Sequence, residues 1–464
     1  MEKIGFDYPQ NPRKTALYET EIWYQKMMAE KLNRPYEQIK LSNFGEYHMA
    51  VNYITSVLEE AKAIEKVAVF NIDHMAQIQF SGKDAVTLLD RVLPANIENM
   101  RIGQCKYSLL LTEKGTVLDD LIIMRLSEDK FILVINAGHD ITDSDKGLLA
   151  DIDHIYSYKK ENEDVEAADI SHKIAKIDIQ GPYSYKVIAE LYGNRGLKNR
   201  NKPDKNMGFF TFNEFEFEGY NYIMSRTGYT NRWGWELYVP VEVAEEQFQR
   251  IIKEVLKHGG LLVGLGGRDE NRISAGSFGL PLNGSEYDKF HTPVNCPLFD
   301  AAIDMGKPSF VGKEALEQDI ASGNDKKMVL FITEGIVSGR GIYQAGKRLG
   351  TVTSSINSPN VSLEKRKFIG SKRKNVNEEN GTAAIGLGWL YNNPFEIDSA
   401  GNDILGDDEN PVRIRVEFYR ENEAGEPTGK PVLGYISGDG VTKATAAKPL
   451  KYIENFTAVQ LETA

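Results

Sequence analysis

Leu118-Asp119-Asp120-Leu121-Ile122-Ile123-Met124-Arg125-Leu126 sets two adjacent carboxylates in a run of strand formers, where successive side chains point to opposite faces. On that parity Asp120 shares a face with Leu118, Ile122, Met124 and Leu126, and Asp119 shares one with Leu121, Ile123 and Arg125. A carboxylate on an apolar face is costly unless a partner stabilises it or its pKa rises to suit proton transfer. Asp120 is therefore a candidate site residue. Capping of a turn at the strand start, or contact with a buried arginine, is an equally open alternative.

A second cluster, Ser225 to Leu237 (SRTGYTNRWGWEL), interleaves aromatics and one carboxylate, Glu236, with Gly228 and Gly234. Aromatic faces stack on planar heterocycles, and a carboxylate accepts from adjacent ring N–H and amino donors. A tight hairpin whose tryptophans fill the core would use the same residues. In Val263 to Arg272 (VGLGGRDENR) a GxGG lacks the lysine and hydroxyl of a phosphate loop and misses the dinucleotide spacing. Arg268 and Arg272 would share a helical face there, either gripping a carboxylate or pairing with Asp269 or Glu270. His74 is a lone histidine, open to a structural hydrogen bond or to acid catalysis. No Ser/His/Asp or Cys/His arrangement follows from linear spacing.

The elements that must position these residues change character along the chain. Thr15 to Leu41 predicts a helical extension, Val67 to Phe80 a strand, and Asp84 to Leu93 a helix with Ala85, Leu88, Leu89 and Val92 on one face. Tyr107–Thr112, Val117–Leu126 and Phe131–Ile135 predict an antiparallel meander. Val243 to His258 and Lys313 to Ile320 predict helices, the latter running into a linker at 321–325. Beyond it, Met328–Thr333, Gly341–Tyr343, Arg348–Thr353, Ala384–Leu390 and Val412–Phe418 are short strand candidates, which predicts a β-barrel or sandwich.

The 464 residues suffice for two or three cores. No apolar run of about 18 residues occurs, so neither a membrane span nor a signal peptide is expected. Two cysteines, Cys105 and Cys296, suit a reducing cytoplasm and exclude a thiolate zinc site, and the 7 histidines offer no ligand spacing, so no metal is expected. A net charge of -12 disfavours nucleic acid, the basic stretches 195–205 and 365–374 being read as solvated loops.

Taken in order, several stretches resemble the glycine-cleavage T-protein (aminomethyltransferase) family: Phe44 to Met49 (FGEYHM), Val69 to Met75 (VFNIDHM), Gly115 to Ile122, Gln180-Gly181-Pro182, Arg226 to Leu237, Gly264 to Ala275 and Phe310 to Leu316. The resemblance implies an α+β fold of intertwined folate-binding subdomains followed by a C-terminal β-barrel. It divides the chain into an extension 1–42, a folate-binding region 43–317 and a barrel 318–464. It implies tetrahydrofolate as the one-carbon acceptor, with Asp120 near the folate nitrogens, Tyr229 and Glu236 on the pteridine, and Arg268 near the folate tail. Tyr107 and Asn136 would line the same pocket. Strand parity and resemblance thus meet at Asp120.

The departures bear on the reaction. Thr230-Asn231-Arg232 stands where the family reads TGE, Trp233 and Trp235 are added, Ser274 replaces a glutamate, and the extension and an insert at 354–381 lengthen the chain. That length resembles the tetrahydrofolate-dependent O-demethylases of methoxylated aromatic acids. The expectation is a demethylase that takes a methyl group from a small-molecule donor. His74, His48 and Tyr229 are its candidate acids, and Tyr47, His48, Trp233 and Trp235 its donor pocket. Aminomethyl transfer from a lipoyl carrier protein is the first alternative. The second is a folate-binding accessory protein without turnover, although Lys307 to Glu314 (KPSFVGKE) lacks the cysteine of the iron–sulfur assembly members.

Overall fold

The computed structural model describes residues 10, 12–138, 151–230, 232–274, 286, 291–294, 296, 299–323, 326–359, 361–362, 367–368, 383–391 and 413–437. Asn231, Ala275 and most of the insert and of the basic stretch 365–374 lie outside them. The strands used below are β1 (Lys40–Phe44), β2 (Tyr47–Asn52), β3 (Ala68–Asn71), β4 (Ala76–Ser81), β5 (Cys105–Leu111), β6 (Val117–Arg125), β7 (Lys130–Ile135), β8 (Glu166–Asp169), β9 (Ile174–Gln180), β10 (Phe212–Phe217), β11 (Tyr220–Ser225), β12 (Gly234–Pro240) and β13 (Leu261–Val263). The helices are α1 (Tyr18–Lys31), α2 (Val57–Lys62), α3 (Ala85–Val92), α4 (Ser184–Tyr192), α5 (Ala244–Lys257) and α6 (Leu265–Ser274).

Two sheets form the centre. One has the order β10-β11-β12-β9-β3-β13 and the other β5-β6-β7-β4-β8. Alternation sends Ala175, Ile177 and Ile179 of β9 and Trp235, Leu237 and Val239 of β12 to one face, where they pack on Phe248, Ile251, Ile252 and Val255 of α5. Leu17, Tyr24 and Met28 join that core, which ties the N-terminal segment to the sheet. The five-stranded sheet buries Ile78, Phe80, Leu121, Ile123, Phe131 and Leu133 against Leu88, Leu89 and Val92 of α3. Each such side chain stabilises the fold by about 1.5–3 kcal/mol. The inner faces meet through Met124, Ile132 and Val134 on one side and Phe212 and Tyr238 on the other. The layering is helix, sheet, sheet, helix, with the site in the seam.

Two sequence expectations change here. Val67 to Phe80 is not one strand, because β3 and β4 belong to different sheets and the chain crosses between them at Ile72 to Met75. The Asp73 amide donates to Asn71 Oδ1 (3.1 Å), an Asx-type turn that stops β3. The N-terminal helix ends at Lys31, since Asn33 adopts φ 51° and Pro35 cannot continue it, and residues from Lys40 form β1 instead.

The C-terminal strands β14 (Lys327–Thr333), β15 (Gly341–Gln344), β16 (Lys347–Asn357), β17 (Ala384–Leu390), β18 (Arg413–Glu421) and β19 (Pro427–Ser437) close a barrel in the order β14-β17-β16-β15-β18-β19. Val329, Phe331, Ile342, Leu349, Val352, Val416, Phe418 and Ile436 make one buried cluster of it. β19, whose prolines and glycines hide it in the sequence, closes the ring by pairing with both β18 and β14.

Candidate functional site

At the start of β6 a register shift opposite Leu110 and Leu111 inserts a bulge. The bulge breaks the parity expected there: Leu118 packs with Leu121 and Ile123 on the helix side, while Ile122, Met124 and Leu126 face the seam. Asp120 is buried. Its Oδ2 accepts from the Tyr107 hydroxyl (3.0 Å) and its Oδ1 from Asn136 Nδ2 (2.8 Å). The same Nδ2 approaches Asp119 Oδ1 (2.8 Å), so the bulge turns both aspartates toward one amide. Burial, and then the charge of Asp120, push the Asp119 carboxyl well above the usual carboxylate range.

Across the seam, the polar residues of β9, Lys176, Asp178 and Gln180, all face inward and are buried. Glu236 on β12 sits directly opposite Asp178 in register. Its Oε2 accepts from Thr227 Oγ1 (2.6 Å) and ion-pairs with Lys176 Nζ (3.2 Å). Asp178 Oδ1 accepts from Gln180 Nε2 (2.6 Å), and Thr230 Oγ1 donates to Gln180 Oε1 (2.8 Å), which sets the orientation of that amide. A Cβ at Gly234 would lie 1.9 Å from Gln180, and one at Gly228 would lie 2.3 Å from it. The glycines in this stretch are therefore there for close approach to Gln180.

Helix α6 brings Arg268 over the ring of Tyr229, with Cζ 4.1 Å from the centroid. Its N-terminus is held by Glu60, whose Oε2 accepts from the Gly264 amide (2.8 Å). Burial raises the Tyr229 phenol above its ordinary range, so it keeps its proton at neutral pH. Arg268 and Arg272 do not act as a pair. Arg272 is taken up by Asp269 Oδ1 (2.6 Å), Glu286 Oε2 (3.3 Å) and Ser354 Oγ (2.9 Å), a buried knot that docks α6 on the barrel strand β16.

His74 lies in the crossing turn between the sheets, 1% exposed, its ring edge-on to Phe44 at 5.0 Å. Burial lowers its pKa well below the usual histidine value, and the charges of Arg268 and Lys176 lower it further. The imidazole is therefore neutral at neutral pH. Its Nδ1 has no hydrogen-bond partner among the described residues. Tyr47 lies beneath the Arg13 guanidinium (4.4 Å), itself paired with Glu46 (3.1 Å). His48 is half-buried on β2.

The expected tryptophan pocket is not formed. Strand alternation puts Trp235 on the face opposite Glu236, inside the helix-side core, where Trp233 packs against it at 6.1 Å and Arg226 lies over both rings. The structure thus groups Asp120, Tyr107 and Asn136, and across the seam Glu236, Tyr229, Arg268 and His74. Lys176, Asp178 and Gln180 were not singled out as site residues in the sequence, where Gln180 entered only as part of the Gln180-Gly181-Pro182 stretch. The signal was the alternation of Ile174 to Gln180, which looks like a half-exposed strand unless both faces are known to be covered.

Among the described residues, no helix is long and apolar enough to cross a membrane. A family model described as the GCVT N-terminal domain matches residues 36–307. The aminomethyltransferase of Desulfitobacterium hafniense (strain DSM 10664 / DCB-2) is 31% identical over 327 residues, 70% of this chain and 84% of that protein. The aminomethyltransferase of Halalkalibacterium halodurans is 31% identical over 333 residues, 70% and 85% of the respective chains. The crystal structure of glycine cleavage system aminomethyltransferase T from Bartonella henselae aligns with a TM-score of 0.66 at 23% identity, covering 92% of this chain and 96% of that one.

Proposed function

This chain belongs to the GCVT family, and from that premise we propose that it transfers a methyl group from a small donor to tetrahydrofolate in the seam between the two sheets. The observation that carries this reading is the Asp120 carboxylate, buried and held by Tyr107 and Asn136 on the inner face. The seam also suits a flat, hydrogen-bonding heterocycle: His74 Nδ1 and Arg268 Nε are buried polar atoms without partners among the described residues around it. Glu236 would accept from the amidine-like edge of the pteridine, Tyr229 would flank the ring, and Arg268 would meet the anionic tail.

Tetrahydrofolate supplies a nucleophilic ring nitrogen, N5. In methyl transfer an N5–C bond would form as the donor's C–O bond broke, with N5 giving up a proton and the departing oxygen taking one. Asp120 would stabilise the positive charge that develops at N5. Tyr229, which keeps its proton at neutral pH, would be the candidate donor for the leaving oxygen.

A small methyl donor is favoured by the segment before residue 36, where the matched family region begins. Ala16 N donates to Asp73 Oδ2 (2.7 Å), and Asn71 Nδ2 donates to Thr15 Oγ1 (2.9 Å) and Glu21 Oε1 (3.0 Å). The extension therefore walls the His74 turn. Aminomethyl transfer from a lipoyl carrier is the second reading, supported by the name and the 84% coverage of the Desulfitobacterium relative.

Incubation with tetrahydrofolate and either methoxy-aromatic acids or aminomethyl-lipoyl carrier, followed by mass analysis of the folate, separates the readings. Methyltetrahydrofolate is expected. Methylenetetrahydrofolate would establish the second reading, and tight folate binding with no turnover would overturn both.

A further inference from the structure

Asp178 is fully buried, and its two oxygens are treated differently. Oδ1 receives Gln180 Nε2, and Oδ2 has no donor among the described residues. A buried carboxylate with a bare oxygen is expensive unless that oxygen carries a proton. The group directly across the strand pair is Glu236, itself an acceptor, and directly opposed side chains on neighbouring strands stand about 4.5–5.5 Å apart at Cβ. Two carboxylates in that position cannot both be ionised cheaply.

Resting on the folate reading above, we propose that Asp178 is protonated at neutral pH and donates from Oδ2 to Glu236, so that the pair carries one negative charge and Glu236 is held in a single orientation toward the pteridine edge. Asp178 is thus a positioning residue acting through Glu236. Lys176 on the same strand and Arg268 from α6 are the cations, Tyr238 and Cys105 are neutral and buried, and His74 is neutral. Burial, then the charge of Glu236, pushes the Asp178 carboxyl well above the usual carboxylate range, outweighing the opposing effects of Arg268, Gln180 and Lys176.

The position of the proton fixes the outcome of substitution. In Asp178→Asn the amide donates to Glu236 while its oxygen still accepts from Gln180, so the arrangement survives without a titrating group. In Asp178→Ala the donor is lost.

The test has two readouts on the ligand-free and tetrahydrofolate-bound protein. Infrared difference spectra of wild type against Asp178→Asn should contain a protonated-carboxyl band at neutral pH that disappears in alkali. Calorimetric affinity for tetrahydrofolate, followed between about pH 6 and 10, should fall on the alkaline side in wild type. In Asp178→Asn it should stay flat and close to the wild-type neutral value. Asp178→Ala should bind about 10- to 100-fold more weakly at neutral pH. Absence of the band, or an alkaline fall that persists in Asp178→Asn, overturns the proposal even if Asp178→Ala does not fold. Glu236→Gln separates this from the parent reading: if it binds tetrahydrofolate as wild type does, the folate site is wrong, whereas weakened binding in Glu236→Gln with no effect of Asp178 rejects the shared proton alone.

Discussion

The Tyr107 hydroxyl on β5 donates to Asp120 Oδ2 on the neighbouring strand at 3.0 Å, while Asn136 at the end of β7 holds the other oxygen at 2.8 Å. Three adjacent strands thus fix one carboxylate against the apolar seam. Asp120→Asn should lower kcat by about 10²- to 10³-fold and leave tetrahydrofolate affinity within a few-fold. Tyr107→Phe, which removes one donor and keeps the ring, should cost about 10-fold. Steady-state kinetics with a separate binding titration checks both, and equal losses in kcat and affinity would refute a chemical role for Asp120.

Arg268 and Arg272 are one helical turn apart and should fail differently. Arg268→Ala should raise KM for a polyanionic folate without changing Tm by more than a few degrees. Arg272→Ala removes the Arg272–Glu286 ion pair from a buried site and should destabilise by about 3–5 kcal/mol. Denaturant unfolding and saturation kinetics on the two variants measure the contrast.

Trp235→Ala should cost about 3–5 kcal/mol of stability because the indole lies in the helix-side core. Discrimination among methyl donors should not change. A shift in donor preference, with stability intact, would return the tryptophan to the pocket.

Buried carboxyls with raised pKa values, Glu21, Asp73 and Glu60 among them, make stability fall as pH rises from 5 to 8. Burial pushes Glu21 and Asp73 up to about 7 and Glu60 to about 8, above the ordinary 4.5 for Glu and 3.8 for Asp. A group whose pKa is higher in the folded state stabilises fully below its unfolded value, and that stabilisation is lost as pH rises through its folded value. The protein should therefore unfold more easily near pH 8 than near pH 5. Glu21→Gln, whose amide oxygen can still accept from Tyr53 and Asn71, should flatten the slope by on the order of 2–3 kcal/mol over that range. A stability profile that rises from pH 5 to 8 would contradict this.

Much of the site was legible because it obeys local rules. The meander β5-β6-β7 announces itself by period, and Asp120 stands out within it as a carboxylate among apolar neighbours. The bulge before Asp119 was not legible, since one extra residue in a strand leaves no mark in composition, and it turned a parity difference into a shared Asn136. Trp235 and Glu236 went to opposite faces by ordinary alternation, which the glycines around them obscured. Lys176 and Asp178 were hidden because alternation in β9 says which residues share a face, while a second sheet decides whether that face meets water. The neutrality of His74 comes first from burial between the two sheets and then from Arg268 and Lys176, groups that are distant in sequence.

The most direct test of methyl transfer at Asp120 is to follow an isotopically labelled methyl group from a methoxy-aromatic acid in a single turnover with tetrahydrofolate, by mass or NMR. The label should appear on tetrahydrofolate with wild type and at under about a hundredth of that rate with Asp120→Asn. A label that never reaches the folate under conditions where an aminomethyl-lipoyl carrier is turned over, or one that reaches it equally fast in the Asp120→Asn variant, would contradict the account.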